Sequence, residues 1–80
     1  MERDEAFNTF RKAAVDVLRV DEEKVTLQAS FADDLDADSL DLVEFVMKLE
    51  EDFSVDIDEA ELEGVTRVEQ AFDLLMSKLG

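Results

Sequence analysis

The residues with the clearest capacity for chemistry lie in the stretch LDADSLDL, residues 35–42. It sets one hydroxyl, Ser39, among the carboxylates Asp36, Asp38 and Asp41 where an apolar helical pattern begins. A serine nucleophile needs a base within hydrogen-bond reach, and the chain has no histidine. Because the neighbouring carboxylates should be ionised and solvated, we predict no catalytic residue. With Asp38 as the helix cap, Ser39 is predicted to keep a free hydroxyl suited to modification.

The same aspartates are spaced like the start of a calcium-binding loop. Counting from Asp34, Asp36 and Asp38 fill positions three and five, but Ser39 replaces the turn glycine and Phe45 stands where a bidentate glutamate is required. We therefore predict no dedicated metal site, only weak divalent binding by the acidic surface. The carboxylates also lie on predicted exposed faces, which argues against a catalytic acid–base pair.

Length and charge restrict the class of protein. Eighty residues make a single domain, residues 1–80, that buries only about 60% of the surface of its unfolded chain. The net charge is −15, and between Asp33 and Glu63 the only basic residue is Lys48. Such a surface should repel nucleic acid and anionic membranes and favour partners with basic docking patches. With no long apolar run and no signal-like start, we expect a soluble, untargeted chain. The absence of cysteine fits a reducing cytoplasm, and we expect a cytoplasmic protein that is a monomer.

Apolar periodicity predicts an all-α fold, a small antiparallel four-helix bundle with three longer helices and one short third helix. The first helix is expected from about Asp4 to Arg19. A long loop follows from Val20 to Asp38, held to the core by apolar anchors. The anchors are Val25, Leu27, Phe31 and Leu35.

Capping residues divide the second half of the chain. The second helix is predicted to begin after Asp38, and the short third helix from Asp56 to a cap at Gly64. A capping box formed by Thr66 and Glu69 is expected to open the fourth helix.

The segment ASFADDLDADSLDLVEFVMKLEEDF, with VDEEKVT before it and VTRVEQAFDLL after it, resembles acyl carrier proteins. The resemblance implies that Ser39, in the motif DSL, bears 4'-phosphopantetheine attached by a separate phosphopantetheinyl transferase. The cofactor would import the thiol that a chain without cysteine lacks. The implied role is to carry growing acyl chains as thioesters to acyltransferases and fatty acid synthesis enzymes, and not to catalyse.

Two sets of residues acquire roles from this reading. Helical spacing places Leu40 and Met47 beside Ser39 on one face with Glu44 and Glu51. The predicted docking residues are Asp38, Leu40, Asp41, Glu44, Met47 and Glu51. The predicted acyl-chain pocket, whose members should also pack as ordinary core, comprises Phe7, Val46, Leu49, Phe53, Phe72 and Leu75.

The sequence departs from the family at Asp36, where many members have glycine. Aspartate tolerates a left-handed backbone better than most residues, so the turn should survive. Three alternatives stay open: a discrete polyketide carrier, a carrier of aminoacyl groups such as D-alanine, and an acidic helical adaptor without a cofactor.

Overall fold

The computed structural model describes residues 2–79, which form three α-helices and two 3-10 turns. The α-helices are α1 (Arg3–Leu18), α2 (Ser39–Phe53) and α3 (Val68–Leu79), and the 3-10 turns are Glu22–Lys24 and Glu59–Leu62. Strand-like pairing among these residues is limited to an isolated antiparallel bridge between Ser30 and Arg67. The predicted all-α class is confirmed. None of the described helices is both long and apolar enough to cross a membrane.

The α1 boundaries agree with the prediction to within one residue. Asp4 and Glu5 lie in its first turn, where negative charge interacts favourably with the helix dipole. The helix ends at Arg19, which adopts a left-handed conformation with φ 57° and donates its N–H to the Val15 carbonyl. This left-handed residue turns the chain into the long loop.

The structure corrects the predicted count of four helices, because the expected third helix is only the 3-10 turn Glu59–Leu62. The turn starts after Asp58 and not at Asp56, and Glu61 Oε2 accepts a hydrogen bond of 3.0 Å from the Asp58 N–H. The turn has no fully buried residue. So short a segment cannot repay the cost of helix nucleation without apolar packing. Gly64 is left-handed, with φ 82°, just beyond the turn as its position suggested.

The predicted Thr66–Glu69 capping box is wrong. The side-chain oxygen of Gln70 takes this role, accepting from the Thr66 N–H at 2.7 Å and the Arg67 N–H at 2.9 Å. The Glu69 N–H instead donates to the Leu27 carbonyl, at a distance of 3.0 Å. The long loop therefore provides the hydrogen-bond acceptor for one backbone N–H in the first turn of α3. A local sequence motif cannot reveal such a tertiary contact.

The long loop is held to the core as predicted. Val25, Phe31 and Leu35 are buried, and Leu27 is partly buried. Backbone hydrogen bonds join the loop to the first residue of α3 and to the segment just before it, from the Val68 N–H to the Ala29 carbonyl and from the Phe31 N–H to the Thr66 carbonyl. The loop thus fixes where α2 begins relative to α3.

Phe10 lies at the centre of the core and joins all three α-helices. Its ring meets Phe45 of α2 at 5.0 Å between centroids and Phe72 of α3 at 5.5 Å, both edge to face. Phe7, one turn earlier, contacts Phe72 edge to face at 5.0 Å. These geometries suit the quadrupoles of aromatic rings. The aromatic cluster holds the bundle around α2, the helix that begins at Ser39.

Candidate functional site

Reciprocal hydrogen bonds at the start of α2 fix the position of Ser39. Asp38 Oδ1 accepts from the Asp41 N–H at 2.9 Å, and Asp41 Oδ2 accepts from the Asp38 N–H at 3.2 Å. This capping box confirms the predicted cap at Asp38. Ser39 is therefore the first residue of α2, and it is exposed. Its hydroxyl is not consumed by capping.

The backbone before the cap turns at Asp36, which is left-handed with φ 52°. The residues on either side, Leu35 and Ala37, are 2% and 7% exposed. The Ala37 N–H also donates to the Phe31 carbonyl at 2.7 Å. A left-handed residue between two buried neighbours lets the chain touch the core twice and still present Asp38 and Ser39 to solvent. The expectation that aspartate accepts this conformation is confirmed.

Two grooves border Ser39. The loop groove, of about 450 Å³, is lined by Ser30, Phe31, Ala32, Asp33, Ala37, Asp38, Ser39, Leu42, Val65 and Thr66. The turn groove, of about 330 Å³, is lined by Ser39, Leu42, Val43, Glu59, Leu62, Glu63 and Val65. Leu42 and Val65 line both grooves. Ser39 thus lies where a flexible group attached to its hydroxyl could reach either one.

The predicted docking residues lie where helical spacing put them. Leu40 and Met47 are 66% and 58% exposed and are the only large apolar side chains exposed among residues 2–79. Glu44 and Glu51 are exposed on the same face of α2. Asp38 is exposed and Asp41 is half-buried. The first turn of α2 and the face that follows it therefore combine apolar and acidic groups beside Ser39.

Lys48 leaves most of this acidity uncompensated. Its Nζ lies 3.4 Å from Asp52 Oδ1, one helical turn further along α2. No basic side chain is ion-paired with Glu44 or Glu51 among the described residues. Nor does any group of three or more carboxylates in residues 2–79 have a geometry that could hold a metal ion. This face of α2 therefore presents a diffuse negative field, which would suit a basic surface.

The six predicted pocket residues lie in the hydrophobic interior. Val46, Leu49, Phe53, Phe72 and Leu75 are buried, and Phe7 is half-buried. None of them lines the loop groove or the turn groove. Sequence reasoning missed the grooves' apolar lining, chiefly Val43, Leu62 and Val65. Helical spacing from Ser39 could have indicated Val43, whereas the positions of Leu62 and Val65 depend on how the 3-10 turn folds back.

Comparison with known proteins agrees with this site. Residues 8–75 match the family model described as a phosphopantetheine attachment site. The chain is 52% identical to the acyl carrier protein of Petrotoga mobilis over 79 residues, covering 99% of this chain and 93% of the relative. It is 47% identical to the acyl carrier protein of Rubrobacter xylanophilus over 76 residues, covering 95% and 94%. The family model over residues 8–75 and the two relatives that match nearly the whole chain place this protein in the acyl carrier protein family.

Proposed function

We propose that this protein carries growing acyl chains as thioesters on 4'-phosphopantetheine attached to Ser39 and presents them to fatty acid synthesis enzymes. The observation that carries the proposal is the exposed hydroxyl of Ser39, free of capping, inside the matched attachment region. Both relatives described above are named acyl carrier proteins. They are carriers by name, which supports a role as substrate of partner enzymes and not as catalyst.

The residues around Ser39 fit a phosphodiester-linked arm. The first N–H groups of a helix have no intrahelical partner, and at α2 the Asp38 side chain takes only the Asp41 N–H. The N–H groups of Ser39 and Leu40 therefore stay directed towards the helix start, where an anion is favoured. Asp36, Asp38 and Asp41 oppose that attraction with negative charge. This balance suits an arm that is tethered without being clamped.

The arm supplies a terminal thiol on which an acyl group is held as a thioester. The protein's own residues present the attachment point and position the arm. With no histidine in the chain, Ser39 has no base to activate it, so the transferase must remove its proton. Leu42 and Val65 divide the space beside Ser39 into two apolar-walled grooves. An acyl chain that buries its apolar surface in the protein would enter through one of these two grooves.

We infer that the exposed face of α2 docks partner enzymes: the phosphopantetheinyl transferase, acyltransferases and fatty acid synthesis enzymes with basic patches. Exposed acids raise the rate of encounter with a basic surface, while a partner pocket that covers Leu40 and Met47 would slow dissociation. Exposed large apolar side chains are concentrated at these two positions within residues 2–79. Asp38, Asp41, Glu44 and Glu51 complete the proposed surface.

We propose that the six predicted pocket residues, five of them buried and Phe7 half-buried, adapt to cargo. In the described structure they pack as core, with Phe72 and Leu75 at 1% and 0% exposure. Admitting a chain would require them to change rotamer, since a close-packed interior has no spare volume. The single domain, the monomeric state and the cytoplasmic location remain predictions.

The deciding experiment is intact mass spectrometry after incubation with coenzyme A and a broad-specificity phosphopantetheinyl transferase. We expect the parent chain to gain one phosphopantetheine and Ser39→Ala to gain none. Ser54→Ala and Ser77→Ala are matched controls, because both serines are exposed, and these variants should be modified like the parent.

Modification of Ser39→Ala would refute the assignment of the site. No modification of any chain would instead favour the adaptor without a cofactor. Loading the modified protein with fatty acyl, polyketide or aminoacyl groups by their respective enzymes then distinguishes the three carrier classes.

A further inference from the structure

The 3-10 turn Glu59–Leu62 closes one side of the turn groove but is weakly held. Glu59, Leu62 and Glu63 line the groove, and the turn itself has no fully buried residue. Leu62 is half-buried. The turn is therefore the wall of the groove with the least apolar packing to keep it in place.

The chain is anchored on both sides of the turn. Before it, Ile57 is 8% exposed and its N–H donates to Glu50 Oε2 of α2 at 3.1 Å. After it, the Thr66 carbonyl accepts from the Phe31 N–H at 3.0 Å. Left-handed residues bracket the segment, Ser54 with φ 54° and Gly64 with φ 82°. Residues 58–63 are therefore a short strap, anchored through Ile57 before it and Thr66 after it.

One ion pair crosses from the middle of the strap to another element. Lys78 Nζ, in the last turn of α3, lies 2.7 Å from Glu61 Oε1. Glu61 Oε2 accepts from the Asp58 N–H, so the carboxylate joins the start of the turn to α3. The hydrogen bond from Lys78, and then that from the Asp58 backbone, lowers the pKa of Glu61. Among the hydrogen bonds and ion pairs of residues 2–79, no other side-chain contact links residues 58–63 to a helix.

The geometry of a 3-10 turn makes this pair relevant to the groove. With three residues per turn, Glu59 and Leu62 share one side, and Glu61 projects about 120° away from them. The side that holds Glu59 and Leu62 lines the groove, and the side that holds Glu61 is bound to α3. The ion pair of Glu61 with α3 therefore fixes the rotation of the 3-10 turn about its own axis. In this rotation Leu62 faces the groove.

We propose that the Glu61–Lys78 ion pair is a latch that holds the 3-10 turn closed over the turn groove and sets how often the groove opens beside Ser39. Its consequence for an apolar cargo rests on the proposed carrier function. The latch itself concerns only the motion of the turn.

Thiol labelling measures this motion directly because the chain contains no cysteine of its own. Val43→Cys would place one thiol on the α2 wall of the groove, where Val43 is half-buried. A neutral reagent such as N-ethylmaleimide avoids attraction or repulsion by a chain of net charge −15. The full-length chain is used before attachment of the arm, and intact mass confirms a single thiol.

Lys78→Met removes the latch while keeping an unbranched apolar stem. The matched control is Lys48→Met, which also removes one cation and one ion pair but lies on α2 away from the groove lining. Lys78→Arg keeps the cation and should preserve the latch. Circular dichroism at the labelling temperature checks that every variant is folded.

All labelled variants carry Val43→Cys, and the parent for labelling is Val43→Cys alone. We expect Lys78→Met to label about two- to fivefold faster than this parent, the range for loss of a partly exposed ion pair. Lys48→Met and Lys78→Arg should label at the parent rate, and high salt should reduce the difference by screening the pair. Equal rates for Lys78→Met and Lys48→Met would overturn the proposal. So would faster labelling of Lys78→Arg to the same extent as Lys78→Met.

Amide exchange provides a second measurement in chains without Val43→Cys. The N–H groups of Glu61 and Glu63 bond to the Asp58 and Ala60 carbonyls within the turn, and both should exchange faster in Lys78→Met than in Lys48→Met. Failure of Ser39 to accept phosphopantetheine would refute the carrier function and leave these rates unchanged. Equal labelling and exchange rates would remove the latch and leave the carrier function intact.

Discussion

Replacing Asp38 with alanine should lower the stability of the domain through the loss of one helix cap. Its Oδ1 accepts from the Asp41 N–H at 2.9 Å, and alanine would leave that N–H at the start of α2 without its protein partner. Loss of an N-cap of this kind costs about 1 kcal/mol. In a domain of this size that corresponds to a fall in melting temperature of roughly 4–8 °C.

The change of charge must be separated from the loss of the cap. Asp38→Ala removes one negative charge from a chain of net charge −15, which by itself relieves repulsion and raises stability. Asp33→Ala makes the same change of charge at an exposed residue whose carboxylate accepts no hydrogen bond among the described contacts. Asp38→Asn removes the charge but keeps a good capping side chain.

Thermal unfolding followed by circular dichroism, at neutral pH and fixed ionic strength, measures the effect for all three variants. We expect Asp38→Ala to melt several degrees below Asp33→Ala. Asp38→Asn should have a melting temperature close to that of Asp33→Ala. If Asp38→Ala and Asp33→Ala have the same melting temperature, the cap contributes nothing and the reasoning fails. A melting temperature of Asp38→Asn as low as that of Asp38→Ala would show that charge, and not capping, is the function of Asp38.

Glu44→Lys should slow acyl transfer to partner enzymes at low salt and slow it less at high salt. Met47→Ala should weaken partner binding at any salt concentration. Transfer rates measured at two ionic strengths test both variants. Ser54→Gly should stabilise the domain by about 0.5–1 kcal/mol, because it relieves a left-handed serine at the end of α2. Ser77→Gly, within α3, should destabilise it by about 0.5 kcal/mol, and urea unfolding compares the two. Added sodium chloride or magnesium should raise the melting temperature, and no dependence on ionic strength would mean that repulsion is negligible. The hydrogen bond from Lys78 lowers the pKa of Glu61. The stability that the Glu61 carboxylate provides is therefore present at neutral pH and is lost as the pH falls through the lowered pKa. The melting temperatures of the parent and Glu61→Gln should accordingly converge in acid.

The sequence alone predicted the features that depend on neighbours within one or two helical turns. The cap at Asp38, the exposed Ser39 and the face that carries Leu40 and Met47 all follow from helical spacing and local hydrogen-bonding rules. The left-handed turn at Asp36 was expected from the resemblance, because many family members have glycine at this position and aspartate tolerates the same backbone conformation. These are the features on which the attachment site rests.

The tertiary structure decided the features in which distant segments satisfy one another. Glu69 was the expected cap of the last helix by its spacing from Thr66, but its N–H bonds to Leu27 in the loop, and Gln70 takes the capping role. The expected third helix became a 3-10 turn because its residues find little apolar surface to pack on. The two grooves beside Ser39 arise where that turn and the loop approach α2, at a distance set by packing around Phe10 and by the hydrogen bonds between loop and α3. Local periodicity reports which face of a helix is apolar, but the space between elements depends on contacts between residues far apart in sequence.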